Sequence, residues 1–242
     1  MMENKIQKTL AISAFAFTLA ACGSDSNDSS TPKVDPGSGT VSYTLTFKQN
    51  WDQTTFPTNF PSNPHFSPLV GATHNSQAVI WRPAGQGGAE TTAGLEVVAE
   101  TGSTATLIAE LTSAKEADGH IDAIFARSGG AISPGTQTQT IKLSTQFPLV
   151  SAVSMIAPSP DWFVGIRDVN LYPNGEWLDE VTVDLRLYDS DTDLGQTFTA
   201  ANQDGGDRNI QLVTTQANET DFNNGVHRTS GAFVGQMILK RQ

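Results

Sequence analysis

Three aspartates fall within the five-residue segment Asp189–Asp193 (DSDTD) of this 242-residue chain. Carboxylates this close repel one another unless a cation or water separates them. Hard cations such as Ca²⁺ bind about six to eight oxygen ligands, and aspartate carboxylates are among their usual ligands. The segment therefore predicts either part of a calcium site or an acidic turn exposed to solvent, and the spacing alone leaves both interpretations open.

The EF-hand is the first calcium motif to compare with this segment. An EF-hand loop needs glycine at its sixth position and glutamate at its twelfth. Counted from Asp189, these positions hold Leu194 and Ala200, which excludes an EF-hand. A calcium site here would need ligands from another part of the chain.

The remaining polar residues contain no recognisable catalytic motif. The four histidines form no HExxH pair, and the chain has no GxSxG segment, so neither a zinc peptidase nor a simple serine hydrolase is supported. The carboxylate pairs Asp179/Glu180 and Asp204/Asp207 are of the kind that glycosidases use. Such pairs are common in an acidic chain. The sequence predicts a protein that is not an enzyme, with an envelope glycan hydrolase that uses the aspartate cluster as the alternative.

The overall charge narrows the classes of partner. The chain has 14 basic and 25 acidic residues and a formal net charge of −11. A chain this acidic is repelled by phosphate backbones, so nucleic-acid binding is not expected. Its single cysteine excludes an intramolecular disulfide.

That single cysteine, Cys22, lies at the end of a short apolar segment. Lys5 and Lys8 precede the uncharged run from Thr9 to Ala21, which is too short to span a bilayer as a helix. The sequence Leu-Ala-Ala-Cys that ends at Cys22 resembles the lipobox of bacterial lipoproteins. This predicts a signal peptide over residues 1–21 and lipidation of Cys22; the alternative is an ordinary signal peptide with a cysteine nearby by chance. In the lipoprotein sorting pattern, Gly23 rather than aspartate after the cysteine favours the outer membrane.

The chain is thus predicted to have three regions, of which the signal peptide is the first. Residues 22–40 contain the cysteine and a tether of mainly Ser, Gly, Asp and Pro, which cannot bury enough apolar surface to fold. Residues 41–242 form the folded domain. The tether is expected to hold this domain away from the membrane surface.

The domain has the pattern of a mainly β protein. Apolar and polar residues alternate over Val41–Phe47 and over Trp177–Tyr188, as in half-buried strands. Helical spacing is confined to Thr92–Glu100 and Ser103–Leu111, with Ser103 as the expected N-cap. The fold class predicted is an antiparallel β-sandwich with a short helical insertion. Further strands are predicted at 78–81, 121–125, 138–143, 149–156, 210–213 and 233–239.

Two segments resemble the spondin domain, the N-terminal module of F-spondin and mindin. Met155–Gly165 contains the Pro-Ser-Pro-Asp-Trp motif, and Val183–Gly195 resembles the family segment D-L-x-x-[WY]-D-A-G-T-D-x-G. His65–His74 and Leu95–Glu100 are similar to two further segments of the family. The resemblance extends from about Val41 to about Leu239.

The resemblance implies a β-sandwich that holds one Ca²⁺ through three aspartates. Carried over by position, these metal ligands are Asp161, Asp189 and Asp193 of this chain. The chain departs from the pattern at Ser190-Asp191, where the family usually has Ala-Gly. Asp191 is therefore either a further metal ligand or a turn residue that faces solvent. Trp162, beside Asp161, is expected to pack under the loop rather than to stack on a ligand.

The functional prediction combines these inferences. The chain is expected to be a lipid-anchored, calcium-binding spondin-domain module at the bacterial outer membrane, facing the periplasm or the cell surface. Animal members of the family are extracellular matrix proteins, so the resemblance implies adhesion, or binding of a protein or glycan partner. The sequence does not name that partner.

Overall fold

The computed structural model describes residues 39–57, 60–87, 90–213 and 233–242. The predicted signal peptide, Cys22 and nearly all of the tether lie outside the described residues. Across the described residues the fold is mainly β, with 40% strand and 15% helix. The strands are β1 Val41–Gln49, β2 His65–Phe66, β3 Val70–His74, β4 Ile121–Ala126, β5 Ala131–Ile132, β6 Gly135–Leu143, β7 Leu149–Ala157, β8 Trp162–Asn170, β9 Glu180–Leu185, β10 Leu187–Asp189, β11 Gln211–Leu212 and β12 Gly235–Arg241. The helices are α1 Ala93–Thr101 and α2 Ala105–Asp118, and Pro173–Gly175 form a 3₁₀ turn.

The first sheet contains four antiparallel strands in the order β6-β1-β12-β9. The alternation in β1 determines which face is buried, since Tyr43, Leu45 and Phe47 are fully buried while the residues between them face outward. The same alternation runs along β6 and β12. The alternation predicted over Val41–Phe47 is confirmed.

The second sheet continues through β11-β10-β8-β7 and then divides. The first half of β7 pairs with β3, which also pairs with β4, and the last residues of β7 pair with β2, which pairs with β5. Every residue of β7 is buried. A strand that is buried on both faces must lie in the middle layer of the protein.

Two hydrophobic clusters explain this middle position. Between the sheets, Leu45 and Phe47 of β1 pack in one cluster with Trp162 and Val164 of β8. On the other face of the second sheet, a separate cluster joins Val153 of β7 and Phe163 of β8 to the two helices. The antiparallel sandwich with a helical insertion is confirmed, and the helices form a third layer over the second sheet.

The first predicted helix is confirmed. Thr92 is its N-cap, because the Thr92 hydroxyl accepts the backbone N–H of Leu95 at 3.2 Å, and Gly102 ends the helix in the left-handed conformation. The second helix starts after Thr104 and continues to Asp118, so the prediction that Ser103 is the N-cap was wrong. No helix in the described part of the chain is long and apolar enough to cross a membrane.

Two strand predictions were wrong, and both errors reflect tertiary packing. The segment from Trp177 to Tyr188 is not one strand: β9 pairs with β12 in the first sheet, and after Arg186 the chain enters the second sheet as β10 beside β8. Residues 78–81 are not a strand. The Trp81 indole donates to the carbonyl of Ile166 at 3.2 Å, and these residues cover the second sheet without joining it.

Four strands of the second sheet lay outside the predicted set, the two-residue strands β2 and β5 and the longer strands β3 and β8. Val70–His74 (β3) and Trp162–Asn170 (β8) both pair with β7, and β8 also pairs with β10. The other predicted strands correspond to observed ones, with shifts of a few residues at their ends. β8 determines the position of Asp161, which directly precedes it.

Candidate functional site

Asp161 lies at the turn between β7 and β8, and the turn is closed by the serine of the Pro-Ser-Pro-Asp-Trp motif. The Ser159 hydroxyl donates to the carbonyl of Ile156 at 2.6 Å and accepts the backbone N–H of Trp162 at 3.2 Å. Both bonds are local, so the motif itself determines the shape of the turn. Trp162 is fully buried and packs against Phe198, as expected for a packing residue.

The carboxylate of Asp161 is 0% exposed, and its two oxygens have different surroundings. Oδ2 accepts the Ser190 hydroxyl at 3.0 Å, the Thr192 N–H at 2.8 Å and the Asp193 N–H at 3.1 Å. Oδ1 is buried and has no hydrogen-bond partner among the described residues. One oxygen of Asp161 thus organises the loop after β10, while the other is left without a donor, a costly arrangement for a buried charge.

Asp189 is brought beside Asp161 by the pairing of β8 and β10. Asp189 lies opposite Trp162 in the ladder, and the Ser190 N–H donates to the Asp161 carbonyl at 3.2 Å. The two carboxyl groups are in side-chain contact. Burial, together with the neighbouring charge of Asp161, raises the pKa of Asp189 to about 8.

The pKa of Asp161 is raised as well, mainly by burial. The hydrogen bonds from Thr192, Asp193 and Ser190 lower it and offset part of this effect, and the charge of Asp193 adds to it. Two adjacent carboxyl groups with raised pKa values form a site whose charged state needs a compensating cation.

Asp193 is the third predicted ligand, and its carboxylate takes part in the structure of its own loop. Oδ1 accepts the Gly195 N–H at 2.7 Å, and Oδ2 accepts the Gln203 N–H at 3.0 Å. Gly195 is required for this approach, because a Cβ there would lie 2.9 Å from Asp193 Oδ1 and 2.8 Å from the side chain of Pro160. The backbone of Asp193 contacts Asp161, so the structure brings all three predicted aspartates to one loop cluster.

Asp191 is oriented toward a different part of the loop. Its Oδ2 accepts the backbone N–H groups of Asp207 at 3.0 Å and Asn209 at 3.1 Å. Its backbone adopts the left-handed conformation, with φ of 57°. Glycine adopts this conformation without strain and aspartate tolerates it, which fits the predicted turn role of Asp191.

Glu100, at the end of α1, is a site residue that the sequence interpretation missed. It interacts with the Thr192 side chain and with the charges of Asp161 and Asp193. Burial is the largest cause of its raised pKa, and the Thr192 hydrogen bond lowers it in part. Glu100 belongs to a segment singled out by the resemblance, but nothing in the spacing shows that α1 ends at the acidic loop.

The arrangement of the carboxylates is not that of a formed metal centre. Within the described residues, no group of three or more His, Cys, Asp or Glu side chains is placed so that it could hold a metal ion. The carboxylates of Asp161, Asp189 and Asp193 each accept at least one backbone N–H. A carboxylate oxygen has two lone-pair directions, so these bonds still leave ligand capacity.

Three of the four carboxylates considered for glycan hydrolysis have structural partners instead. Asp179 pairs with Arg241 at 2.6 Å, and Glu180 pairs with Lys240 at 3.5 Å. Asp204 accepts the side-chain amide of Asn202 at 2.8 Å. A pocket of about 300 Å³ lies elsewhere, and none of the predicted aspartates lines it. Its lining residues are Asn63, His65, Phe66, Gly130, Ala131 and Ile132.

A serine, a histidine and an aspartate also meet on the second sheet, but not as a catalytic triad. His74 Nε2 lies 2.8 Å from the Ser151 hydroxyl, and Asp168 is 3.8 Å from the same nitrogen. A triad places the aspartate on Nδ1, which here faces the carbonyl of Asn75 at 2.9 Å. His74 and Ser151 are fully buried, so this group is part of the structural core.

Comparison with known proteins identifies the family. The family model described as Spondin_N matches residues 41–231, which is most of the chain and includes the whole acidic loop. The chain belongs to the spondin N-terminal domain family. The resemblance inferred from the Pro-Ser-Pro-Asp-Trp motif is confirmed.

Relatives of this spondin domain include proteins named Spondin-2 and Spondin-1. Spondin-2 of Rattus norvegicus is 34% identical over 163 residues, covering 66% of this chain and 48% of the relative. Spondin-2 of Homo sapiens has the same identity and coverage. Spondin-1 of Gallus gallus is 31% identical over 175 residues, covering 68% of this chain and 21% of the relative. The matched part of this chain spans about half the length of Spondin-2 and about a fifth of Spondin-1.

Proposed function

We propose that this protein is a lipid-anchored, calcium-binding spondin-domain module that binds a protein or glycan partner at the cell envelope. The membership of the spondin N-terminal domain family supports an adhesion-type, extracytoplasmic module. The proposed anchor is Cys22, at the outer membrane, on the basis of the lipobox resemblance. Acyl chains supply membrane affinity that an acidic domain lacks.

The calcium proposal rests on one observation above all, the buried Asp161 Oδ1 that has no hydrogen-bond partner in the described part of the chain. The Asp161 side chain also contacts that of Asp189. A cation satisfies such an oxygen as a donor would, and it also removes the repulsion between the two carboxylates. Asp161, Asp189 and Asp193 would hold the ion. Oxygen ligands alone, with no histidine or thiol among them, suit Ca²⁺.

Calcium in this site would have a structural task. It would join the turn before β8 to the loop after β10, the two segments that carry Asp161, Asp189 and Asp193. Arg208 is a basic residue near this loop, but its charge is already balanced by an ion pair with Glu96 on α1. The ion would therefore stabilise the folded loop cluster rather than activate a substrate.

We propose no catalytic activity for the domain. A general acid needs both a raised pKa and contact with its substrate. The carboxyl groups of the site have raised pKa values, but Asp161 is fully buried and its Oδ2 accepts hydrogen bonds from the loop, so it is not placed to protonate a substrate. Reproducible hydrolysis of glycans that disappears in Asp161→Asn, with the fold retained, would instead support the hydrolase alternative.

Metal analysis of the purified protein tests the proposal directly. We expect one calcium per chain by elemental analysis, loss of the ion after chelation, and rebinding heat in calorimetry. Asp161→Asn should abolish that heat, whereas the matched surface variant Asp118→Asn should bind calcium normally. A wild-type protein that contains no calcium and gives no heat of binding would refute the calcium site while leaving the family assignment intact.

A further inference from the structure

The outer face of the first sheet has a charge pattern opposite to that of the whole protein. The chain carries a net charge of −11, yet strands β1, β6 and β12 contain no aspartate or glutamate. Three of the four lysines among the described residues lie on the outward side of these strands. They are Lys48, Lys142 and Lys240.

Threonine hydroxyls fill most of the remaining outward positions. The strand register places Thr140 beside Thr44, Thr138 beside Thr46, and Thr136 beside Lys48. Neighbouring strands are about 4.8 Å apart, and alternate residues on a strand are about 6.7 Å apart. The hydroxyls of β1 and β6 therefore form a regular grid, whereas on the row of Thr46 the outward Ile238 of β12 separates Thr46 from Thr182 of β9.

Most of this hydrogen-bonding capacity is unused. Within the described residues, the hydroxyls of Thr46, Thr136 and Thr138 make no hydrogen bond, and Lys48 and Lys142 form no ion pair. The two acidic residues of the face lie on the edge strand β9 and are already engaged. Glu180 pairs with Lys240 at 3.5 Å, and Asp184 accepts the Gln236 amide at 2.7 Å.

One contact shows that neighbouring threonine hydroxyls of this face can bind a polar group together. The side-chain amide of Gln242 donates to the Thr44 hydroxyl at 3.0 Å and to the Thr140 hydroxyl at 3.3 Å. Two neighbouring hydroxyls thus hold one polar ligand group between them. The rows that contain Thr46, Thr138, Thr136 and Lys48 present the same spacing without such an occupant in the described part of the chain.

We propose that this threonine-lysine face, formed by Thr44, Thr46, Lys48, Thr136, Thr138, Thr140 and Lys142, binds an acidic polysaccharide that carries carboxylates. Threonine hydroxyls both donate and accept, which matches sugar hydroxyls that do the same. The two lysines without an ion pair in the described residues match the carboxylates. The outward side of these three strands carries no aromatic residue, and protein-protein interfaces are enriched in aromatic residues and depleted in lysine.

The proposal names a ligand for a face of the first sheet, whereas the calcium proposal concerns loops of the second sheet. Its failure is therefore distinguishable from failure of the calcium site. Binding to the face should persist in the presence of a chelator. Because the attraction involves exposed lysines, binding should weaken as salt is added.

The test uses the full-length chain and hyaluronan oligosaccharides, which carry a carboxylate on alternate sugars and serve as a probe of this chemistry. We expect binding to hyaluronan at low salt and no binding to neutral dextran. Lys48→Gln combined with Lys142→Gln should weaken binding about tenfold, since each exposed lysine contributes only a modest attraction to a carboxylate. Thr46→Val combined with Thr138→Val, which keeps the shape and removes the hydroxyls, should weaken it severalfold.

Matched variants away from the face provide the controls. Lys115→Gln and Thr112→Val alter the same residue types on α2 and should leave binding unchanged. The proposal is overturned if wild type does not bind hyaluronan, or if the lysine and threonine pairs bind like wild type. It is equally overturned if the face binds only vesicles of phosphatidylglycerol, or if light scattering shows a dimer that Thr46→Val/Thr138→Val dissociates.

Discussion

The side chain of Asp189 lies against that of Asp161 because Asp189 is the ladder partner of Trp162, the residue that follows Asp161. The two carboxyl groups are thus brought together by backbone pairing of β8 and β10. The loop that follows β10 then folds over Asp161 Oδ2 through the N–H groups of Thr192 and Asp193. The pairing positions the carboxylates whether or not their charges favour it, so a retained proton or a bound cation must relieve their repulsion.

Calcium should raise the melting temperature of the protein, because an ion that binds only the folded state stabilises that state. The gain is about 2.7 kcal/mol at a hundredfold excess over Kd, which corresponds to several degrees for a domain of this size. Mg²⁺ should rescue poorly because it requires tighter octahedral geometry. The measurement is thermal unfolding with calcium, with magnesium and with chelator; identical curves in all three would argue against a structural ion.

Asp189→Asn should make the melting temperature insensitive to calcium, whereas Asp191→Asn should leave the calcium response intact. The reason is that Asp191 accepts the N–H groups of Asp207 and Asn209 and is turned toward that segment. An amide oxygen can accept the same bonds, so the loss of stability in Asp191→Asn should be about 1 kcal/mol or less. A calcium response lost equally in both variants would place Asp191 among the ligands.

The metal-free protein should lose stability as the pH rises from about 4 to about 8. The pKa of Asp189 is raised from its ordinary value of 3.8 to about 8 in the folded state. A raised pKa means that the folded state retains the proton while the unfolded state releases it, so stability is complete below the unfolded pKa and is lost as the pH rises through the folded pKa.

Bound calcium should remove this loss, because it stabilises the charged carboxylates at the higher pH. The measurement is the melting temperature of metal-stripped and calcium-loaded protein at several pH values. Asp189→Asn should flatten the metal-free profile. A metal-free protein that becomes more stable between about pH 5 and pH 8 would contradict the contact between these two carboxyl groups.

Gly195→Ala should destabilise the acidic loop and weaken calcium binding. A Cβ at this position would lie 2.8 Å from the side chains of Pro160 and Ala200 and 2.9 Å from Asp193 Oδ1. The loop must shift to relieve these contacts, at a cost of about 1–3 kcal/mol, which is typical of overpacking. Gly39→Ala is the control, because its Cβ would meet nothing within 4 Å. Unfolding curves and calcium titrations of both variants measure the difference.

Cys22→Ser should release the protein from the membrane fraction or leave it unprocessed. The expectation follows from the lipobox resemblance, since the acyl chains would supply the membrane affinity. Fractionation of cells that express wild type and variant checks it, with the melting temperature of the folded domain as the control. A Cys22→Ser protein that stays firmly in the membrane fraction would refute the lipid anchor.

Local features of the sequence were sufficient to predict much of this fold and the identity of the loop residues. The alternation in Val41–Phe47 and the helical spacing of Thr92–Glu100 predicted β1 and α1, because each depends on contacts within one element. The Pro-Ser-Pro-Asp-Trp motif led to Asp161 through the family resemblance, and the motif is recognisable because the Ser159 hydrogen bonds that shape its turn span only three residues.

Tertiary packing decided the remaining features. Trp177–Tyr188 has an unbroken period of two, yet the chain changes sheets at Arg186, because pairing partners rather than alternation determine which sheet a strand joins. Residues 78–81 are apolar enough for a strand but pack over the second sheet unpaired. Glu100 interacts with the acidic loop, and Asp161 Oδ1 is buried without a hydrogen-bond partner among the described residues, only because elements distant in sequence converge there. Such contacts depend on the docking of whole elements, which local periodicity does not encode.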